Sequence, residues 1–242
     1  MYLHEAQLAN IVTSYCTCLG GILPLLFCLL TRPHPRRWML VYACVLITGI
    51  PTVWLHSMEG NRVASFFDVG TNILLALAVI IAVSGDFMRP ERRRRLLAVA
   101  VAADLLAWVW LVYEVFAPEK RPLVTFGEFG QFYAGELALI ANGWVAVILL
   151  VANIRHIPAH ARPALWMMVG TFFTGMLMAT ASNSEIALRI VPWHAVWHVT
   201  GMAGFLLMWL MNHTRFIESP AAAPARPPVF APVQTGLEEE RA

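Results

Sequence analysis

The stretch Phe66-Phe-Asp-Val-Gly-Thr-Asn-Ile-Leu-Leu-Ala-Leu-Ala-Val-Ile-Ile-Ala-Val-Ser84 runs for nineteen residues with one ionisable side chain, Asp68. An α-helix rises 1.5 Å per residue, so a run of this length crosses most of a ~30 Å hydrocarbon core. Six further stretches share this character, and the seven lie at residues 8–30, 39–57, 66–84, 96–116, 132–153, 164–182 and 193–212. The whole chain is 59% hydrophobic and 13% charged, about half the charge fraction of a soluble domain. The expected fold is therefore an all-α membrane protein, a seven-transmembrane helix bundle over residues 1–215. Residues 216–242, rich in Ala and Pro and ending in Glu238-Glu239-Glu240 before Arg241-Ala242, are expected to form a disordered C-terminal tail. The first stretch lacks a basic leader and a small-residue cleavage site, so it reads as a retained helix.

The connecting segments alternate in charge. Arg32, Arg36, Arg37, Arg89, Arg92 to Arg95, Arg155, Arg162 and Arg215 fall on one side of the expected membrane. Arg62, Lys120, Arg121 and Arg189 fall on the other. Positive charge favours the cytoplasmic side, which puts the N-terminus outside and the C-terminus in the cytoplasm. Arginine supplies nearly all of the positive charge, since Lys120 is the only lysine. This pattern leads to an expectation of a multi-pass protein of a bacterial inner membrane. The run Arg92-Arg93-Arg94-Arg95 reads as a topology determinant near anionic headgroups, and no nucleic-acid partner is expected. Cys16, Cys18, Cys28 and Cys44 all lie in apolar stretches and are expected to be free thiols.

Three of the eight histidines lie within spans. His194 and His198 are one helical turn apart at the start of the seventh, about 6 Å from one another on a single face. His56 is near the end of the second, which runs outward, so all three belong to the outer layer. Asp68, near the start of the third span, shares that depth. His4, His34, His156, His160 and His213 are expected to be solvated or interfacial. Three histidines with an open fourth position are the ligand set of a catalytic zinc. Zn2+ lowers the pKa of a bound water towards neutrality, and a carboxylate such as Asp68 can relay its proton. Thr52 precedes His56 by one turn and could orient Asp68 through its hydroxyl. A helix-capping role for Asp68 and plain packing roles for the histidines are the bland alternatives.

These residues resemble the alkaline ceramidase branch of a seven-span membrane hydrolase superfamily that also holds the progestin and adiponectin receptors. The family pattern has a serine four residues before a histidine in the second span, an aspartate about eleven residues later, and His-x-x-x-His in the seventh. Here it reads Thr52-Val-Trp-Leu-His56, Asp68, and His194-Ala-Val-Trp-His198, continuing Val199-Thr200-Gly201. The resemblance implies that His56, His194 and His198 bind zinc, that Asp68 holds the catalytic water, and that Thr52 stands where the family has serine. It also implies cleavage of the amide bond of ceramide or a related N-acyl lipid drawn from the bilayer. The family's Trp-Cys-Glu segment has no counterpart in this chain. Trp54, Phe66, Phe67, Trp193 and Trp197 are expected to line an acyl-chain site or to form an interfacial belt. Three other functions fit parts of the pattern: a non-catalytic receptor or sensor, a bis-histidine haem protein and, with Glu114 and Glu136 within spans, a transporter.

Overall fold

A computed structural model describes residues 2–58, 60–117, 123–125, 131–181 and 193–217. Seven long helices account for most of them: α1 (Tyr2–Leu30), α2 (Arg36–Ser57), α3 (Arg62–Phe87), α4 (Pro90–Phe116), α5 (Ala134–Ala152), α6 (Arg162–Ala181) and α7 (Trp193–Phe216). Between α4 and α5 lies a two-residue antiparallel pairing, Val124 opposite Phe132 and Thr125 opposite Gln131. Two short 3-10 turns, Ile154–His156 and Ala159–Ala161, join α5 to α6. Pro158 separates these turns, so His156 and His160 do not share a helix. Among the described residues, six helices are long and apolar enough to cross a membrane: α1 to α5 and α7. This is the architecture of a multi-pass integral membrane protein. The expected tail lies outside the described residues, apart from its first two positions, Phe216 and Ile217.

Several helix boundaries have local causes. The Asn61 side chain caps α3 by accepting from the Ala64 amide at 3.0 Å. Gly60, just before it, has φ +73°, a conformation that costs glycine little. Pro90 occupies the first turn of α4, where its missing N–H is no loss. The helix consequently starts earlier than the span expected at 96, and Arg92 to Arg95 lie on its first two turns rather than in a loop. A capping box starts α5, with the Tyr133 amide donating to Glu136 Oε2 at 3.1 Å.

The distribution of polarity in α4 is the reverse of a soluble helix. Leu105, Leu106 and Val109 are 62%, 72% and 71% exposed, whereas Asp104 and Glu114 are each 4% exposed. Each buried acid has a donor: Asn142 Nδ2 reaches Asp104 Oδ1 at 2.8 Å, and Trp110 Nε1 reaches Glu114 Oε1 at 2.9 Å. Apolar side chains turned outward with polar groups gathered inside are what a lipid surrounding requires.

Helix α1 packs against α2 and α7, α2 against α3, α3 against α4 and α5, and α6 against α7. Glycines set the closest approach. A Cβ on Gly21 would collide with the Leu46 backbone, and one on Gly49 would collide with Cys18. The largest apolar core gathers Trp38, Tyr42, Val83, Leu165 and Met211. His34 belongs to this end of the molecule and corrects the expectation that it is solvated. It is 3% exposed, pairs through Nδ1 with the Tyr42 hydroxyl at 3.0 Å, and lies 5.8 Å from the His213 ring. Trp209, His213 and Phe216 at the end of α7 pack around the His34 ring, which covers a residue that composition alone assigns to a loop.

Candidate metal centre

Two helices deliver the three histidines. His56 sits in the last turn of α2, and His194 and His198 occupy the first two turns of α7. The three rings form a triangle, with centroids 4.9 Å apart for His56–His194 and 4.8 Å for both His56–His198 and His194–His198. The Nε2 atoms of His56 and His194 are 3.2 Å apart. One nitrogen from each residue lies within 4.8 Å of the others, an arrangement that can hold a metal ion. Two ligands bound at about 2.0–2.1 Å to a tetrahedral ion stand roughly 3.3 Å apart, close to the observed separation.

The donor chemistry also fits. Thr13 of α1 donates its hydroxyl proton to the Ala9 carbonyl at 2.7 Å. Its oxygen is then free to accept from His198 Nδ1–H, 3.0 Å away. With the proton on Nδ1, His198 presents the Nε2 lone pair towards a metal. His198 is buried at 4% exposure, so this orientation is held away from bulk solvent.

Asp68 approaches from α3. The hydroxyl of Thr52, one turn before His56, donates to Asp68 Oδ1 at 2.5 Å, with the Thr48 carbonyl at 2.9 Å as its other acceptor. Asp68 lies about two turns inside α3, whose N-cap is Asn61, so capping does not account for it. Asn72 Nδ2 donates to the Asp68 carbonyl at 2.9 Å and ties the next turn to the same region.

A cavity of about 500 Å³ takes in all five expected site residues: Thr52, His56, Asp68, His194 and His198. It continues between α5, which packs on α3 and α4, and α6, which packs on α7. Leu150, Met168 and Met208 mark its far reach. The aromatic lining differs from expectation. Trp197 lines the cavity together with Trp144, Phe172, Phe173 and Phe205, but Trp54, Phe66 and Phe67 do not. Trp54 stacks on Phe67, with centroids 6.4 Å apart, and Phe66 packs edge-on against Trp108 at 5.2 Å. The Trp193 side chain lies outside the described residues.

Sequence reasoning did not single out Thr13, Thr17, Asn72 or the placement of Glu136 on the cavity wall. Spacing offered one signal, since Thr13 and Thr17 are one turn apart and Asn72 follows Asp68 by one turn. Nothing local shows that α1 packs on α7. No protein-family model matches the chain, and a comparison with curated proteins gives no match. The chemistry of the centre is therefore read from its own residues.

Proposed function

We propose that the protein is a zinc-dependent integral-membrane hydrolase that cleaves the amide bond of ceramide or a related N-acyl lipid. The observation that carries this reading is the histidine triangle, with its 3.2 Å Nε2–Nε2 approach, opening into an elongated apolar cavity. His56, His194 and His198 would hold Zn2+ through one ring nitrogen each. A divalent ion held there would supply Lewis-acid activation of the amide carbonyl and of the attacking water. Asp68 accepts the proton of that water and returns it to the departing amine. The carbon–nitrogen bond breaks, releasing a fatty acid and the amine. Thr52 holds Asp68 in place through its hydroxyl. The acyl chain lies along Phe172, Phe205 and Met208, reached from the bilayer between α5 and α6.

In this reading all seven helices cross a bacterial inner membrane, with the N-terminus and the metal centre near the outer face. The arginine bias supports that orientation. The histidine geometry disfavours a bis-histidine haem, because a macrocycle needs a clear plane between its axial ligands and 3.2 Å leaves none.

The deciding experiment is metal analysis of the purified full chain paired with a screen of N-acyl lipids, comparing wild type with His56→Ala. Wild type should carry about one zinc per chain and release fatty acid, and the variant should lose both. A folded, metal-free wild type that still hydrolyses lipid would overturn the proposal.

A further inference from the structure

A second polar cluster occupies the opposite end of the bundle. His56 and Arg37 mark the two ends of α2, nineteen residues apart, a rise of about 28 Å. At the arginine end, the Asp86 side chain is fully buried and every one of its contacts is taken up. Its Oδ1 accepts from Arg37; its Oδ2 accepts from Trp38 Nε1 at 3.0 Å and lies 2.7 Å from Arg215 Nη1. Asp86 therefore cannot neutralise any further cation.

Two of the partners of Asp86 are themselves cations, and Arg93 adds a third nearby. The Arg215 guanidinium lies between two rings, 4.7 Å from the centroid of Phe87 and 4.5 Å from that of Phe216. Its side chain is only 8% exposed. Arg37 and Arg93 converge over Gly85, where an added Cβ would lie 3.1 Å from Arg37 Cδ and 3.4 Å from Arg93 Cζ. Arg93 Nε is buried with no hydrogen-bond partner. Two guanidinium groups thus share one carboxylate, and a third, that of Arg93, lies beside them over Gly85. Beside them is a cavity of about 350 Å³ lined by Asp86, Phe87, His156, Arg215 and Phe216. A half-buried excess of positive charge with a buried open donor at Arg93 Nε favours an anion that completes it. Guanidinium forks match the oxygens of a phosphate group, and its charge balances the surplus here.

We propose that this cavity is a phosphate-binding site, with Arg215 and His156 on its wall and Arg93 beside Gly85 supplying the remaining donors. The phosphate is carried by an anionic lipid headgroup or is free in solution; both present the same group to the same donors. The site is separate from the histidine centre and does not depend on its chemistry.

The test uses the full chain purified in zwitterionic detergent. In one arm, thermal unfolding is followed with inorganic phosphate against chloride at matched ionic strength. In the other, phosphatidylglycerol is compared with phosphatidylcholine in nanodiscs. At about ten times Kd, the bound form should melt about 3–6 °C higher. A shift with inorganic phosphate identifies the free anion as sufficient. A shift with phosphatidylglycerol alone identifies the headgroup. Arg93→Gln combined with His156→Ala should abolish the shift while leaving all partners of Asp86 in place. Should that pair fold poorly, His156→Ala alone, at an exposed position, should at least halve the shift. No shift in either arm, or an undiminished shift in the variants, would overturn the proposal.

Discussion

The Nε2 atoms of His56 and His194 stand 3.2 Å apart although 138 residues separate them in the chain. His198, one turn further along α7, brings a third ring to within 4.8 Å of each. Bare imidazoles crowded this closely in a largely apolar surrounding favour a shared cation.

Thr13 orients His198 without reaching the ligand position itself. Thr13→Val removes the acceptor for Nδ1–H and should weaken zinc affinity about 10–100-fold, whereas Thr13→Ser should restore it. Competition with a chelator of known affinity measures the difference. Unchanged affinity in Thr13→Val would rule out the orienting role.

On the proposed mechanism, Asp68 and the metal are separable. Asp68→Asn keeps the size of the side chain and a partner for the Thr52 hydroxyl. It should retain about one zinc while lipid hydrolysis falls about 10²–10⁴-fold. Loss of zinc along with activity would instead make Asp68 part of the metal-holding structure.

His34 links stability to pH. Burial pushes its pKa from the ordinary 6.5 down to about 4, and the nearby His213 adds to the effect. The unfolded chain therefore takes up a proton on this residue before the folded chain does. Stability on this account is complete above pH 6.5 and falls as the pH drops from 6.5 towards 4, by up to about 3 kcal/mol. Melting temperatures at pH 7 and pH 5 should differ less in His34→Asn than in wild type. Equal acid sensitivity in the two proteins would exclude His34 as a contributor.

The α1–α2 contact depends on glycine. Gly21→Ala places a methyl group against the Leu46 backbone, which cannot rotate away as a side chain could. The cost should be about 1–3 kcal/mol, read as a lower melting temperature in detergent. At Gly143, where an added Cβ meets nothing within 4 Å, the same substitution should leave the melting temperature nearly unchanged.

Composition and periodicity were enough to place the seven long helices of the described residues, six of them long and apolar enough to cross a membrane, because an apolar run of about twenty residues is a local property. That His56, Asp68, His194 and His198 belong to one end of the bundle was also legible, since each sits a countable number of residues from a helix end, and all four line one cavity. The role of Thr13 was not legible, because it depends on α1 packing against α7. The burial of His34 depends on the end of α7 packing against the α1–α2 connection. The cavity wall likewise follows from the helices chosen as neighbours, which bring Phe172 and Phe205 to it and leave Phe66 against Trp108. In a membrane, outward and inward faces can be equally apolar, so the sequence by itself determined which segments are helices and at which end of each helix the polar residues lie. Only tertiary packing decided which faces meet, because that choice rests on close fit between distant segments.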